Sequence, residues 1–395
     1  MLIQFSVKNF LSFKDESILD LSAVKSYKEH EYNLIHYDGG RFLKVAAIYG
    51  ANASGKSNFH HALCVFQRLV ETSANNINSH GEMPIKEYYR PFSFSADNEP
   101  TEFEIVCVEN GDEFKYGFQY DDKHVVAEWL YIKNPETNRY NILVERSADN
   151  ISFGADIRKE CNVFKMQVPD ETLVLSFYQK LKLSTDVFKK VYDAVSLTLL
   201  ADAEIFEESN IIEKLLPYSI DHEYTELMEF VSSIDVGIRD IEYKRDEDGD
   251  INIYTWHVGE DGERYRLNFY DESNGTMKAI ALYVVITKAI ATGRPVIVDE
   301  LNAKLHPLLL KHIVDQFHSC NGYAQLIYTT HDTTLMDKKF FRRDQIWFVD
   351  KDAYGRSTLC ALSDYKIRSD ASFEKDYLAG VYGGIPMLKD YQLEV

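Results

Sequence analysis

The sequence predicts an α/β fold, with a mixed and mostly parallel sheet, an antiparallel β-lobe and a helical insertion. Helix and strand patterns alternate between residues 271 and 350, which is typical of a mostly parallel sheet covered by helices. Residues 88–146 carry short segments of aromatic and β-branched residues separated by turn sequences, which predicts antiparallel strands. Between about 170 and 235 the apolar residues recur at helical spacing.

These patterns divide the chain of 395 residues into three parts. Residues 1–165 are expected to form an N-terminal half that includes the β-lobe, and residues 166–240 a helical insertion or lid. Residues 241–395 are expected to form the C-terminal half. We find no internal repeat that would indicate a solenoid or propeller.

Charge limits the kinds of partner. The chain has 43 Lys and Arg against 63 Asp and Glu, for a formal net charge of −20. A surface of this charge repels phosphate backbones over most of its area. Direct contact with nucleic acid would require a local basic patch or a partner protein. The net charge does not favour such contact.

Cysteine usage and hydropathy predict a cytoplasmic protein without membrane contact. The five cysteines are odd in number, widely spaced and lack a CxxC pair, so reduced thiols are expected instead of disulfides or zinc ligands. No window approaches the roughly 20 apolar residues of a membrane-spanning helix. The first eight residues read as a strand and lack the features of a signal peptide.

A phosphate-binding loop is predicted at residues 50–57, which read Gly-Ala-Asn-Ala-Ser-Gly-Lys-Ser and match GxxxxGK[ST]. A short apolar strand precedes the loop and a helical pattern follows it, as the P-loop NTPase fold requires. Small residues let main-chain N–H groups surround the β-phosphate, and the helix N-terminus adds positive charge. Lys56 would reach the β- and γ-phosphates, while the Ser57 hydroxyl would ligate Mg²⁺.

We therefore expect ATP and Mg²⁺ as ligands, although the sequence does not distinguish ATP from GTP. The residues expected to bind nucleotide in this loop are Gly50, Asn52, Ala53, Ser54, Gly55, Lys56, Ser57 and Asn58.

A second, acidic site is predicted where the apolar strand 295–299 ends in Asp299-Glu300. Asp299 would hold Mg²⁺, mostly through water, and Glu300 would polarise the attacking water as the general base. The adjacent acidic pair is typical of ABC-like ATPases. His331 follows the next strand, where it can contact the γ-phosphate.

A signature segment is predicted at Ser273-Asn274-Gly275, before the helix that leads to the acidic strand. Ser273 and Gly275 would offer a hydroxyl and main-chain amides to an anion. In ABC ATPases this element contacts the γ-phosphate bound to the opposite subunit, so a homodimer or higher homo-oligomer is expected. A simple helix cap would have the same sequence.

Longer motifs add to these predictions across nearly the whole chain. They are Asn9–Phe13, Arg90–Phe94, Pro100–Ile105, Ser273–Thr276, Asp299–Pro307, Thr329–Asp332, Asp344–Phe348 and Tyr377–Pro386. With these motifs the chain resembles the RloA/AbiLi-like AAA-type ATPases of prokaryotic phage defence, within the OLD/RecF/SMC-like ABC group. The resemblance implies an ABC/SMC-head fold and an ATP-driven sensor or regulator that acts beside a separate toxin or nuclease in abortive infection.

Two departures from this family are visible. Asn302 stands where the family usually carries Asp, in the loop that communicates between the two nucleotide sites, and the rate or coupling of hydrolysis is in question. No Gln marks the loop that usually completes Mg²⁺ coordination, and only the region around Arg90 is suspected. Because 64 residues follow His331, too few for the Toprim nuclease of OLD relatives, any nuclease is expected to be a partner.

Two other functions remain open. The first is a RecF-like ATPase that grips duplex DNA, for which Lys338–Arg343 is the best basic patch, although a solvated helix face reads the same way. The second is a scaffold that binds ATP with negligible turnover, which the departure at Asn302 suggests.

Overall fold

The structure is a computed structural model that describes residues 1–75, 84–95, 99–147, 150–196, 198–201, 209–235, 237–367 and 371–385. Its strands are β1 (Leu2–Lys8), β2 (Ser17–Asp20), β3 (Leu34–Tyr37), β4 (Gly40–Leu43), β5 (Val45–Tyr49), β6 (Thr101–Glu109), β7 (Asp112–Tyr120), β8 (Val125–Asn134), β9 (Arg139–Ser147), β10 (Asn150–Phe153), β11 (Leu199–Ala201), β12 (Ile238–Arg245), β13 (Ile251–Val258), β14 (Arg264–Asn268), β15 (Pro295–Val298), β16 (Gln325–Thr330), β17 (Ile346–Lys351) and β18 (Ser357–Ala361).

Its helices are α1 (Lys56–Thr72), α2 (Pro84–Glu87), α3 (Ala155–Cys161), α4 (Val174–Gln179), α5 (Val187–Ser196), α6 (Ser209–His222), α7 (Tyr224–Ile234), α8 (Asn274–Thr292), α9 (Pro307–Ser319) and α10 (Phe373–Leu378).

The central sheet has the order β11-β15-β16-β5-β17-β18. All its neighbouring strands are parallel except β17 and β18. Strands β5, β15 and β16 are buried along their whole length, which explains their continuous apolar and β-branched sequences. Because β16 lies between β5 and β15, the predicted phosphate loop, acidic pair and His331 follow three adjacent strands at the same sheet edge.

A second sheet is antiparallel, with the order β10-β9-β8-β7-β6-β1-β2 among the described residues. Aromatic side chains join it to α1: Phe66 stacks on Phe118 at 5.5 Å and meets Phe5 edge-on at 5.7 Å. This packing fixes the helix that begins at the phosphate loop. Residues 92–94 lie inside the stretch 88–146 that predicts antiparallel strands, but they form no strand: residues 93 and 94 are in a turn, and the main-chain N–H of Phe92 donates to Asn9 Oδ1 at 3.0 Å.

The helical segment between the two halves contributes to two different cores. Helices α4 and α5 pack in the hydrophobic cluster of α1 and the antiparallel sheet, whereas α6 and α7 pack against α8. Between them, β11 pairs with β15 at the edge of the central sheet. Residues 197, 202–208 and 236 of the predicted insertion lie outside the described residues.

Helix α8 corrects one expectation from hydropathy. Within the described part of the chain it is the one helix whose length and mean hydropathy, 1.3, suffice for a membrane span. Of that window, 61% is buried inside the protein, where α8 contacts α6, α7 and β15. Length and composition alone do not distinguish α8 from a membrane-spanning helix. Its burial against other elements of the protein shows that its apolar sequence also fits a core helix.

The basic patch expected at Lys338–Arg343 does not form one exposed surface. Arg342 is fully buried, and its Nε and Nη2 donate to Asp344 Oδ1 and Oδ2 at 2.9 and 2.8 Å. Phe341 is also buried. Only part of the patch faces solvent, because this arginine is used inside the fold.

We predict that Arg342→Leu lowers the free energy of unfolding by about 3–5 kcal/mol, because it leaves the Asp344 carboxylate buried without its cation. Urea unfolding measures the change. Lys339→Leu is the control: the residue is exposed, and about 0.5 kcal/mol or less is expected. Equal effects of the two substitutions would contradict a structural role for the buried pair.

Candidate functional site

The loop at residues 50–55 has the backbone geometry that its glycines predict. A Cβ on Gly50 would lie 2.6 Å from both Ser54 Oγ and Val349 O, closer than real atoms approach. Gly55 has φ +119°, in the region that favours glycine, and a Cβ there would overlap the Ser357 hydroxyl. The loop therefore closes tightly around its own main chain at the N-terminus of α1.

Hydroxyl groups support this loop from outside. Ser357 Oγ lies 2.5 Å from Ser54 O and 2.8 Å from Ser12 Oγ. Asn58 Nδ2 donates to Ser12 Oγ at 2.7 Å, and the Ser357 N–H donates to Ser12 O at 2.7 Å. Ser12 was recognised only as part of a longer motif, and Ser357 was missed, because their contacts with the loop are distant in sequence.

Lys56 lies across the loop, where its Nζ donates to Gly50 O at 2.8 Å and Ala51 O at 3.1 Å. Burial lowers the pKa of Lys56, and the nearby carboxylates of Glu300 and Asp299 partly oppose this shift. Lys56 and the acidic pair follow β5 and β15, the two strands that flank β16, at the same end of the central sheet.

The loop has unused hydrogen-bonding capacity, as a phosphate cradle requires. Among the described residues, no protein acceptor pairs with the main-chain N–H groups of Lys56 and Ser57, which begin α1. Ser54 Oγ is buried and also lacks a described partner. Ser57 is exposed, so its hydroxyl is accessible to a metal ion. These residues fit a triphosphate and Mg²⁺.

The acidic pair follows β15. Asp299 is buried, and Thr329 Oγ1 donates to its Oδ1 at 2.5 Å. The same Thr329 oxygen accepts the main-chain N–H of Glu300 at 2.8 Å. One hydroxyl on the neighbouring strand thus orients both acidic residues. Sequence analysis quoted Thr329 only within a motif, because its role depends on the pairing of β15 with β16.

His331 and Asn302 form a second polar contact at the same edge. Asn302 Nδ2 lies 3.3 Å from His331 Nε2, and Thr330 Oγ1 donates to Asn302 Oδ1 at 2.7 Å. If the Asn302 amide donates, His331 Nε2 is the acceptor, so the neutral imidazole carries its proton on Nδ1. His331 is exposed at the end of β16.

The signature residues begin α8. Ser273 is its N-cap, and its Oγ accepts the Thr276 N–H at 3.1 Å. The local cap interpretation is therefore realised, yet Ser273 remains exposed. Within the described part of the chain, no hydrogen bond joins Ser273 or Gly275 to the loop 50–57.

The C-terminal segment contacts the base of the phosphate loop, which sequence analysis did not predict. A Cβ on Gly384 would lie 3.5 Å from Gly50 Cα. The Gly384 N–H donates to Asp350 Oδ1 at 3.2 Å, and the Tyr377 hydroxyl donates to Gly384 O at 2.9 Å. The Tyr-Gly-Gly-Ile motif therefore supports the loop, while Pro386 lies outside the described residues.

The same C-terminal segment contacts the loop after β16, since Thr333 Oγ1 donates to Glu374 Oε1 at 2.7 Å.

Arg90 was suspected to belong to the loop that completes Mg²⁺ coordination. Its carbonyl accepts the Leu11 N–H at 2.8 Å, and the residue is exposed. Completion of metal coordination by this region stays a prediction.

A sequence profile described as "AAA domain, putative AbiEii toxin, Type IV TA system" matches residues 45–161 and 180–337. The chain belongs to this AAA-domain family. The matched ranges contain the phosphate loop, the acidic pair and His331. Together they identify an AAA/ABC-type ATP-binding protein with an α/β P-loop fold. No curated protein matches the chain.

Solved structures similar to this member of the AAA-domain family include three SMC heads. An SMC head bound to the C-winged helix domain of ScpA is 16% identical, with a TM-score of 0.46, covering 95% of this chain and 99% of that chain. The SMC head domain from Thermotoga maritima is 14% identical, with a TM-score of 0.42, covering 93% and 99%. The Smc head from Pyrococcus furiosus, with an extended coiled coil and the C-terminal domain of ScpA, is 14% identical, with a TM-score of 0.44, covering 96% and 98%.

We predict that Thr329→Val, which keeps the shape of the side chain, lowers ATP turnover about tenfold or more, because it removes the hydroxyl that orients Asp299 and Glu300. Turnover is measured as phosphate release against Mg²⁺ concentration. The control is Thr287→Val in α8, whose hydroxyl donates to Tyr283 O at 2.9 Å in its own helix. Unchanged turnover in Thr329→Val would refute the orienting role.

Proposed function

We propose that this protein is a Mg²⁺-dependent ATPase that dimerises around ATP and regulates a partner toxin or nuclease in prokaryotic antiphage defence. The observation that carries the proposal is the convergence of Lys56, Asp299 and Glu300 at one edge of the central sheet. A cationic phosphate loop beside an oriented acidic pair is the arrangement that metal-assisted phosphoryl transfer needs.

The residues divide the work as follows. Main-chain amides at the start of α1 and the Lys56 ammonium bind the β- and γ-phosphates. Ser57 and Asp299 hold Mg²⁺, which supplies charge neutralisation at the phosphates when bound. Glu300 orients the attacking water and accepts its proton, while His331 contacts the γ-phosphate.

As ATP binds, the Lys56 ammonium exchanges hydrogen-bond partners. In this structure it donates to carbonyl groups of Gly50 and Ala51. A triphosphate offers a stronger, charged acceptor, so binding moves the ammonium from the loop to the phosphates. This exchange favours nucleotide without requiring the fold to rearrange.

Dimerisation is supported by the position of the signature segment. Ser273 and Gly275 lie at an exposed helix N-terminus and make no hydrogen bond with their own phosphate loop among the described residues. An ATP molecule bound to a second copy provides the anion that this helix end fits. ATP then stabilises the dimer, and hydrolysis releases it.

The biological role rests on the family. Its description names a putative AbiEii toxin of a type IV toxin–antitoxin system. We infer that the ATP-driven dimer controls a separate effector, as the narrower resemblance to RloA/AbiLi-like proteins implies, and that it acts in the cytoplasm. Copurification from cells, followed by mass spectrometry, identifies that effector.

We predict that Glu300→Gln yields a stable dimer in ATP and Mg²⁺, because the amide cannot accept the proton of the attacking water. Size-exclusion chromatography with light scattering measures the mass. Lys56→Ala is the matched control, in which the phosphates lose their cation, and it is expected to stay monomeric with ATP. A Glu300→Gln protein that remains monomeric at saturating ATP would count against the dimer.

A second candidate function, an ATP-binding scaffold with slow turnover, is favoured by the contact between Asn302 and His331. A neutral amide 3.3 Å from His331 Nε2 makes a weaker hydrogen bond to the ring than the carboxylate that the family usually carries at this position. His331 then interacts more weakly with the γ-phosphate. The two functions share a site and differ in rate.

We predict that Asn302→Asp raises ATP turnover about threefold to tenfold, because a carboxylate at the position of the amide, 3.3 Å from His331 Nε2, makes a stronger, charge-assisted hydrogen bond and holds the ring more firmly. Phosphate release at saturating ATP and Mg²⁺ measures the turnover of both proteins. If wild type turns over rapidly and Asn302→Asp has no effect, the scaffold function is excluded.

A further inference from the structure

Helix α8 carries a lysine in an unusual place. Lys278 lies five residues after the cap Ser273 and is fully buried. Removing an ammonium group from water is costly unless polar groups surround it. One turn further along the same face of the helix, Ala281 and Leu282 are fully buried apolar residues, so this face is not a polar one.

The ammonium group of Lys278 meets the main chain of the predicted general base. Its Nζ donates to Glu300 O at 3.0 Å. The same carbonyl accepts the Ala303 N–H at 3.0 Å. Through this bond Lys278 contacts the peptide group that follows Glu300. The bond does not involve the Glu300 carboxylate or the phosphate loop.

Glu300 has a backbone conformation that needs such support. Its φ is +46°, in the left-handed region that non-glycine residues seldom adopt. Its N–H is held by Thr329 Oγ1 at 2.8 Å and its carbonyl by Lys278. Both polar main-chain groups of the residue are thus fixed by side chains from two different elements.

A second contact joins the signature end of α8 to the same loop. A Cβ on Gly275 would lie 3.2 Å from Lys304 O, so the first turn of α8 rests on the loop that follows Glu300. Lys304 also has positive φ, +62°. The helix therefore contacts both ends of the segment from Glu300 to Lys304.

We propose that Lys278 is a positioning residue for hydrolysis, which holds Glu300 in its left-handed conformation and ties it to the signature helix. This inference rests on the proposed function. The Glu300 side chain extends from the main chain that this bond holds, so a shift of the carbonyl moves the point from which the carboxylate reaches the water. Through the same bond, movement of the signature helix reaches the general base of its own subunit.

Lys44 provides a matched control for the loss of a buried lysine. It too is buried and donates to main-chain carbonyls, at 2.9 Å to Tyr32 O, 2.9 Å to His318 O and 2.8 Å to Cys320 O. It precedes β5, at the sheet edge opposite to the phosphate loop. Lys44→Met therefore measures the structural cost alone.

The experiment compares wild type, Lys278→Met, Lys278→Arg and Lys44→Met in full-length protein, by kcat and KM for ATP and by thermal unfolding. We expect Lys278→Met to lower kcat about tenfold or more with KM changed less than about threefold, because the displaced group acts on the reaction and not on binding. Lys278→Arg, which keeps the cation, should recover part of the lost kcat. Lys44→Met should lower the melting temperature while kcat, measured well below it, stays near wild type.

Three results would overturn the inference. They are a Lys278→Met kcat no lower than that of Lys44→Met, a parallel loss of nucleotide affinity, or Lys278→Arg as slow as Lys278→Met. If Lys278→Met does not fold, Lys278→Gln takes its place with the same criteria. Turnover of the wild type distinguishes failure of this inference from failure of the proposed function. If the wild type is active, Glu300→Gln is inactive and Lys278→Met is as active as the wild type, only the inference is wrong. If the wild type is inactive, both are wrong.

Discussion

The pairing of β5, β15 and β16 is the constraint on which the site depends. Val298 lies opposite Tyr328, and Thr330 lies opposite Tyr49, so the three strands end at one edge in fixed register. A shift of one residue would turn Thr329 to the other face of the sheet. Asp299 would then lose its hydroxyl partner, and the main chain of Glu300 would lose its acceptor.

Local chemistry explains which parts of the site were visible in the sequence. The phosphate loop was predicted because its glycines, lysine and serine act within eight consecutive residues and need only a strand before and a helix after. The acidic pair and His331 were predicted because parallel strands bring their carboxyl ends together. The alternation of helix and strand between residues 271 and 350 corresponds to α8, β15, α9, β16 and β17, and the predicted strand 295–299 agrees with β15 to within one residue.

Contacts between distant residues were not visible. Ser357 supports Ser54 across 303 residues, and Gly384 reaches Gly50 through a turn that no periodicity reveals. Burial of Arg342 was missed because a run of basic residues looks like a solvated face until its partner Asp344 is placed inside the fold. Lys278 was not singled out in the sequence, because its burial and its bond to Glu300 O depend on the packing of α8.

The site thus combines a lysine whose hydrogen-bond acceptors can be replaced with a glutamate whose main chain is held in place. Lys56 is held only by carbonyl groups that a phosphate can replace, whereas Glu300 is fixed through its main chain at both ends. Such preorganisation of the main chain favours the transition state over the bound substrate, because less of the proposed general base has to be ordered during the reaction. Helix α8 is tied to this unit through Lys278, whereas Ser273 at its N-terminus is exposed to solvent.

Calorimetric titration of purified protein with ATP, in Mg²⁺ and again in EDTA, tests the central claim most directly. The account predicts saturable heat corresponding to one nucleotide per chain, with tighter binding in Mg²⁺ than in EDTA, because Ser57 and Asp299 bind the metal beside the phosphates. Absence of binding to ATP or GTP, or equal affinity with and without Mg²⁺, would contradict a phosphate loop and an acidic pair that act as one site.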